Sequence, residues 1–130
     1  MGLILDPVNE LTRTTVQVNV SKSANFNTTP VDISSYIGNV LCIVSAGLLT
    51  AGDNNCTTDA AVWTGSESNG ANATNAAIVM TQMTNTAQTK TISVDTRAVG
   101  QYLKLVTTFG GANSPARPIS VELVGCKRVQ

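Results

Sequence analysis

A chain of 130 residues can bury roughly two-thirds of the surface it exposes when unfolded, so one real core is attainable without disulfide or metal staples. Eight basic and eight acidic residues cancel and only 12% of residues are charged, which removes the positive excess that nucleic-acid backbones and anionic membranes select. The absence of histidine removes the commonest general base, the usual Ser-His pairings and the most frequent metal ligand together.

Met1 to Leu5 has no cationic region followed by a long apolar stretch, and no later run has the length to cross a bilayer, so the chain is expected to be made in the cytosol. Leu3, Ile4, Leu5, Pro7 and Val8 form an apolar but short run interrupted by proline. That pattern predicts an extended N-terminal arm over residues 1–11, ahead of one β domain over residues 12–130. From Thr12 to Val20 the residues alternate, with Val16, Val18 and Val20 on one side, as a half-buried strand requires.

After the polar stretch Ser21 to Pro30, the apolar run Val40 to Val44 is too short for a typical helix and reads as a central strand. Thr50 to Thr58 carries Ala51-Gly52-Asp53-Asn54-Asn55, a cluster of turn formers expected at a surface tip. A strand is predicted around Ala60 to Thr64, then a long exposed loop from Ser66 to Asn75. Ile78 to Met83, Thr89 to Val94, Tyr102 to Phe109 and Ile119 to Val124 supply four further strands. About eight short strands without a convincing helix predict an all-β sandwich, jelly roll or small barrel.

The chemistry-bearing residues are few. Cys42, Cys56 and Cys126 are odd in number and lack a Cys-x-x-Cys pair, which suggests neither a disulfide framework nor a zinc site. Cys42 lies in an apolar run, where desolvation disfavours the thiolate, whereas Cys56 is expected to be the better exposed. Asp53, Asp59, Glu67 and Asp95 are scattered; a carboxylate-dependent glycoside hydrolase would need two of them close together. Asp53-Asn54-Asn55 offers oxygen ligands but matches no recognised calcium loop, and Gly110-Gly111 introduces no phosphate cradle. Asn-x-Ser/Thr triplets begin at Asn19, Asn27, Asn55 and Asn72 and are expected by chance in a chain this rich in asparagine and threonine. Trp63 and Tyr102 suit a sugar-stacking platform chemically, but with aromatics at 4% both are expected in the core. No catalytic, cofactor or metal site is expected, and the chain reads as a non-enzyme.

Several segments carry a resemblance in order: Val31-Asp32-Ile33, then Tyr36-Ile37-Gly38 into Val40 to Val44, Ile92-Ser93-Val94-Asp95-Thr96-Arg97-Ala98, and Tyr102-Leu103-Lys104-Leu105-Val106. Gly110-Gly111, Ser114-Pro115 and Val121-Glu122-Leu123-Val124-Gly125 follow, and the opening Leu3-Ile4-Leu5-Asp6 resembles the start of some members. This set resembles the capsid decoration, or cement, proteins of tailed bacteriophages, with weaker agreement from Cys56 to Asn75. The resemblance implies a single-domain, jelly-roll-like β-sandwich that binds the exterior of the capsid as a homotrimer. Its partner would be the major capsid protein, with no cofactor and no contact with nucleic acid or membrane. Leu3, Ile4, Leu5, Pro7 and Val8 would then form an arm docking on the capsid or on a trimer neighbour. The competing expectation is a receptor- or carbohydrate-binding module of a phage tail or fibre.

Overall fold

The computed structural model describes residues 9–22, 26–113 and 115–128. Nine strands follow one another: β1 (Asn9–Lys22), β2 (Phe26–Asn27), β3 (Val31–Asp32), β4 (Tyr36–Ala46), β5 (Thr57–Gly65), β6 (Thr74–Val79), β7 (Gln88–Asp95), β8 (Tyr102–Gly110) and β9 (Arg117–Arg128). One sheet has the order β1-β9-β4-β7 and the other β2-β8-β5-β6, with β3 also on β8. These pairings are antiparallel.

β2 and β3 are two pieces of one interrupted strand, because Phe26 pairs with Thr107 and Val31 with Leu103, one register step apart along β8. The interruption ends at Pro30, which has no N–H to give the ladder. Thr28 bridges the gap: its N–H donates to the Leu105 carbonyl at 3.0 Å, and its hydroxyl accepts the Leu105 N–H at 2.9 Å. Counted as one, these pieces leave eight strands in two interleaved sheets of four, the jelly-roll arrangement. The protein is thus an all-β, single-domain sandwich.

The core follows from the two-residue period of each strand. Val40, Cys42, Val44 and Ala46 of β4, with Ile119, Val121 and Leu123 of β9, face Ala60 and Val62 of β5 and Leu103 and Leu105 of β8. Burying each Val, Ile or Leu stabilises the fold by about 1.5–3 kcal/mol. Met80 and Met83 extend the core beyond β6, and Met83 exchanges backbone hydrogen bonds with Thr58 at 2.9 Å in each direction.

Four expectations need correction. Trp63 and Tyr102 lie outside the core: the inward positions on their strands belong to Val62, Thr64 and Leu103, so the period turns both aromatic residues outward. Cys56 is buried, because Gly111 packs across it and its thiol donates to the Ala112 carbonyl at 3.5 Å. β6 begins at Thr74, inside the predicted loop, and ends at Val79. β1 begins at Asn9, within the segment read as the arm. The directions of the Val16, Val18 and Val20 side chains lie outside the described residues, as do Leu3, Ile4, Leu5, Pro7 and Val8.

Candidate interaction surfaces

The outer face of the first sheet is built from the residues that alternate with the core. On β4 these include Ile37, Leu41, Ile43 and Ser45, and on β9 they are Ser120, Glu122, Val124 and Cys126. Leu41 stands between Val124 on one side and Ser93 on the other, while Ile37 is opposite Cys126. Ile37, Leu41, Ile43 and Val124 therefore form an apolar stripe over two central strands, with Leu41 38% and Ile37 37% exposed. Glu122, opposite Ile43 on the same face, interrupts it and pairs with Arg13 at 3.1 Å.

At the other end of that face an open groove of about 420 Å³ crosses β9, β4 and β7, lined by Ser45, Gln88, Thr89, Pro118 and Ser120 among others. No ionisable side chain lines it. Three hydroxyls, of Ser45, Thr89 and Ser120, share it with Ala46, Ala87 and Pro118, and those of Ser45 and Thr89 are 3.3 Å apart.

The outer face of the second sheet carries Trp63 and Tyr102. Trp63 pairs with Lys104, and Gly65 with Tyr102, so the two aromatic residues are diagonal neighbours on one face. Asp32 of β3 pairs with Tyr102 from the far side. Its carboxylate accepts the Ser34 N–H at 2.8 Å, and hydrogen bonds from Ser34 hold its pKa below the usual aspartate value. The Lys104 ammonium donates to the Gly70 carbonyl at 3.4 Å, which draws the 66–73 loop against the rim of this face.

The carboxylates are not gathered into one cleft. Asp53 and Glu67 lie beyond opposite ends of β5, whose nine residues extend about 30 Å. Both Asp59 oxygens accept the Gln82 amide at 3.1 Å, Asp53 is bonded by the Asn113 amide, and Asp95 is paired with Arg97 at 3.0 Å. The Arg97 guanidinium and N–H hold Asp95 below the ordinary carboxylate range. No cluster of three or more cysteine, aspartate or glutamate side chains able to hold a metal occurs among the described residues.

Arg117 gave no signal in the sequence. It is fully buried, donating from Nε to the Gly47 carbonyl at 2.9 Å, from Nη1 to the Thr84 carbonyl at 2.6 Å, and from Nη2 to the Thr86 carbonyl at 2.7 Å. Thr58 Oγ1 accepts a further bond from Nη1 at 3.3 Å. These acceptors are neutral, so the guanidinium ties β9, β5 and two connections together as a structural clasp, and burial lowers its pKa.

No family model and no curated protein matches the sequence. Among solved structures the fold is similar to the SPBc2 prophage-derived protein YomS, with a TM-score of 0.51 and 10% identity over 95% of this chain and 100% of that one. It is also similar to dimeric latent PorU from Porphyromonas gingivalis, with a TM-score of 0.51 and 8% identity over 96% of this chain and 13% of that one. A more distant likeness, with a TM-score of 0.48 and 12% identity over 92% of this chain and 32% of that one, is to infectious bursal disease virus, Gx strain. At such identities the shared property is the β-sandwich fold. It spans the whole of one small protein and a minor part of two longer ones.

Proposed function

We propose that this chain is a structural virion protein that binds the outside of a bacteriophage capsid as a decoration or cement subunit, working as a homotrimer and without catalysis. The observation that carries this reading is the apolar stripe Ile37, Leu41, Ile43 and Val124, which a filled sandwich retains on its solvent side. Such a stripe suits a subunit whose work is done in contact with other protein surfaces. The full-length likeness in fold to a prophage-derived protein agrees with a phage setting. A protein that binds only the assembled shell stabilises it by mass action, and a trimer with several weak contacts gains by multivalency.

The test is to add the purified chain to capsids that lack it. Saturable co-sedimentation with a rise in the temperature of shell disruption is expected, and absence of binding contradicts the proposal. A second reading, a receptor- or carbohydrate-binding module of a tail or fibre, is favoured by one observation: Trp63 and Tyr102 share the outer face of the second sheet. It predicts that glycans quench or shift the emission of the single tryptophan.

A further inference from the structure

We infer that the free edge of β7 is a strand-addition site, which takes up an extended segment of a partner protein as a further strand of the first sheet. The site is separate from the apolar stripe and does not depend on the capsid reading. Among the described residues the sheet edges differ in kind. The pairing of β1 shifts register between Thr15 and Gln17 and again between Gln17 and Val20, and that of β6 shifts where Val62 gives way to Trp63 on β5. The edge formed by β2 and β3 is interrupted at Pro30. Bulges and proline blunt an edge against further pairing. β7 has neither, and its 8 residues pair with β4 in one unbroken register, from Asp95 opposite Asn39 to Gln88 opposite Ala46.

The Thr96 N–H donates to the Gly38 carbonyl at 3.1 Å, one step past the pair of Asp95 with Asn39. In an antiparallel ladder this makes Asp95 a residue that turns its own N–H and C=O away from β4. With the register unbroken, Ser93, Thr91 and Thr89 do the same. The Asp95 carbonyl is taken by the Ala98 N–H at 3.0 Å, whereas no backbone hydrogen bond between described residues reaches the outward groups of Thr89, Thr91 and Ser93. Each of these residues offers one donor and one acceptor, repeated at about 7 Å along the edge. An extended backbone presents the complementary groups at that repeat, so the edge itself specifies a strand as its occupant.

The side chains define which strand fits. Gln88, Lys90, Ile92 and Val94 alternate toward the core side, with Val94 buried and Ile92 packed against the core. An antiparallel segment with apolar residues opposite Val94 and Ile92 extends that core, and an acidic residue opposite Lys90 meets its ammonium. The ion pairs of the described residues, Arg13 with Glu122 and Arg97 with Asp95, leave Lys90 out. A core-side charge at an edge repels strands that cannot neutralise it, which makes Lys90 the selecting residue. A second copy of β7 does not meet that condition, because none of its core-side residues is acidic. The partner segment therefore carries the pattern apolar-x-apolar-x-acidic, with β-branched or small residues between to match Thr89, Thr91 and Ser93 on the outer face.

The probe is a labelled, end-capped peptide, Thr-Val-Thr-Ile-Thr-Glu-Thr, titrated onto the full chain by fluorescence anisotropy. Saturable binding is expected, with the amides of Thr89, Thr91 and Ser93 becoming protected from exchange. Thr91→Pro removes an N–H that β4 does not use, so the variant should fold and bind at least tenfold more weakly. A peptide N-methylated at its inner threonines makes the same test without altering the protein, and should also lose at least tenfold. Lys90→Glu should reverse the preference, toward a peptide with lysine in place of glutamate. Absence of binding at millimolar peptide, or binding indifferent to N-methylation, overturns the inference. Self-association of the native chain that Thr91→Pro abolishes gives the edge to a second copy and overturns the partner assignment. A chain that binds the peptide yet leaves capsids unbound keeps the edge site and removes only the capsid reading.

Discussion

The Tyr36 ring lies against Gly125 so closely that a β-carbon at position 125 would stand 3.0 Å from its Cδ1. The ring has little freedom to withdraw, because the Tyr36 hydroxyl and Thr14 Oγ1 are 2.7 Å apart and the Lys127 ammonium sits 4.8 Å from the ring centre. Gly125→Ala should therefore destabilise the fold by about 1–3 kcal/mol, and Tyr36→Phe by about 0.5–1.5 kcal/mol. In the double variant the freed ring can move, so the combined loss should be smaller than the sum of the two. Urea denaturation of the four proteins measures this, and strict additivity would count against a ring pinned at both ends.

Arg117 holds its surroundings by hydrogen bonds instead of packing. Arg117→Met should cost about 3 kcal/mol or more, since it strips partners from the carbonyls of Gly47, Thr84 and Thr86 at once. Arg117→Lys should recover only part of the loss, because a single ammonium cannot span the positions served by Nε, Nη1 and Nη2. Amide exchange should rise first in the connection holding Thr84 and Thr86. A loss below about 1 kcal/mol for the methionine variant would contradict the clasp.

The three thiols should react in two classes. Cys126 is exposed and should label rapidly in the native protein, whereas Cys42 and Cys56 should label only as the protein unfolds. Burial pushes the Cys42 thiol up to about 12 from 9.0. Below pH 9 the thiol is protonated in both folded and unfolded chains and adds no pH dependence. Above pH 9 the unfolded chain loses the proton while the folded one keeps it, so stability falls by up to about 4 kcal/mol as pH approaches 12. Comparing native protein with Cys42→Ala across this window isolates the effect, and parallel curves would contradict it.

Trp63 is the single tryptophan, so intrinsic emission reports its surroundings directly. Its outward position predicts quenching by acrylamide in the folded protein, and a loss on Trp63→Ala below the 3–5 kcal/mol typical of a core aromatic residue. Native emission that resists acrylamide would return Trp63 to the core.

The contrast between what the sequence disclosed and what it hid is physical. Tyr102 to Phe109 and Ile119 to Val124 announce themselves because a strand buried on one side needs an apolar side chain at every second position, whereas Val40 to Val44 is legible as a short run that is apolar at each position. The start of β6 is hidden in the sequence since Thr74 and Asn75 carry no apolar period, and their strand exists through pairing with Thr64 and Trp63. The direction of Trp63 is hidden because Ala60, Ala61 and Val62 are apolar on both faces, which masks the period that sets it.

Cys56 and Arg117 were illegible for a related reason: their burial depends on residues more than fifty positions away, Gly111 and Ala112 in one case and Thr58 and Gly47 in the other. The apolar stripe was half legible. Leu41 and Ile43 stand out in the sequence, but only the pairing of β4 with β9 puts Val124 beside them on the outer face.

The central claim is that this chain is a capsid-surface subunit, and cryo-electron microscopy of the particles that contain it tests this most directly. The account predicts outer density at capsid three-fold or quasi-three-fold positions into which three copies fit. Finding the chain only on the tail, or absent from the particle, would contradict it.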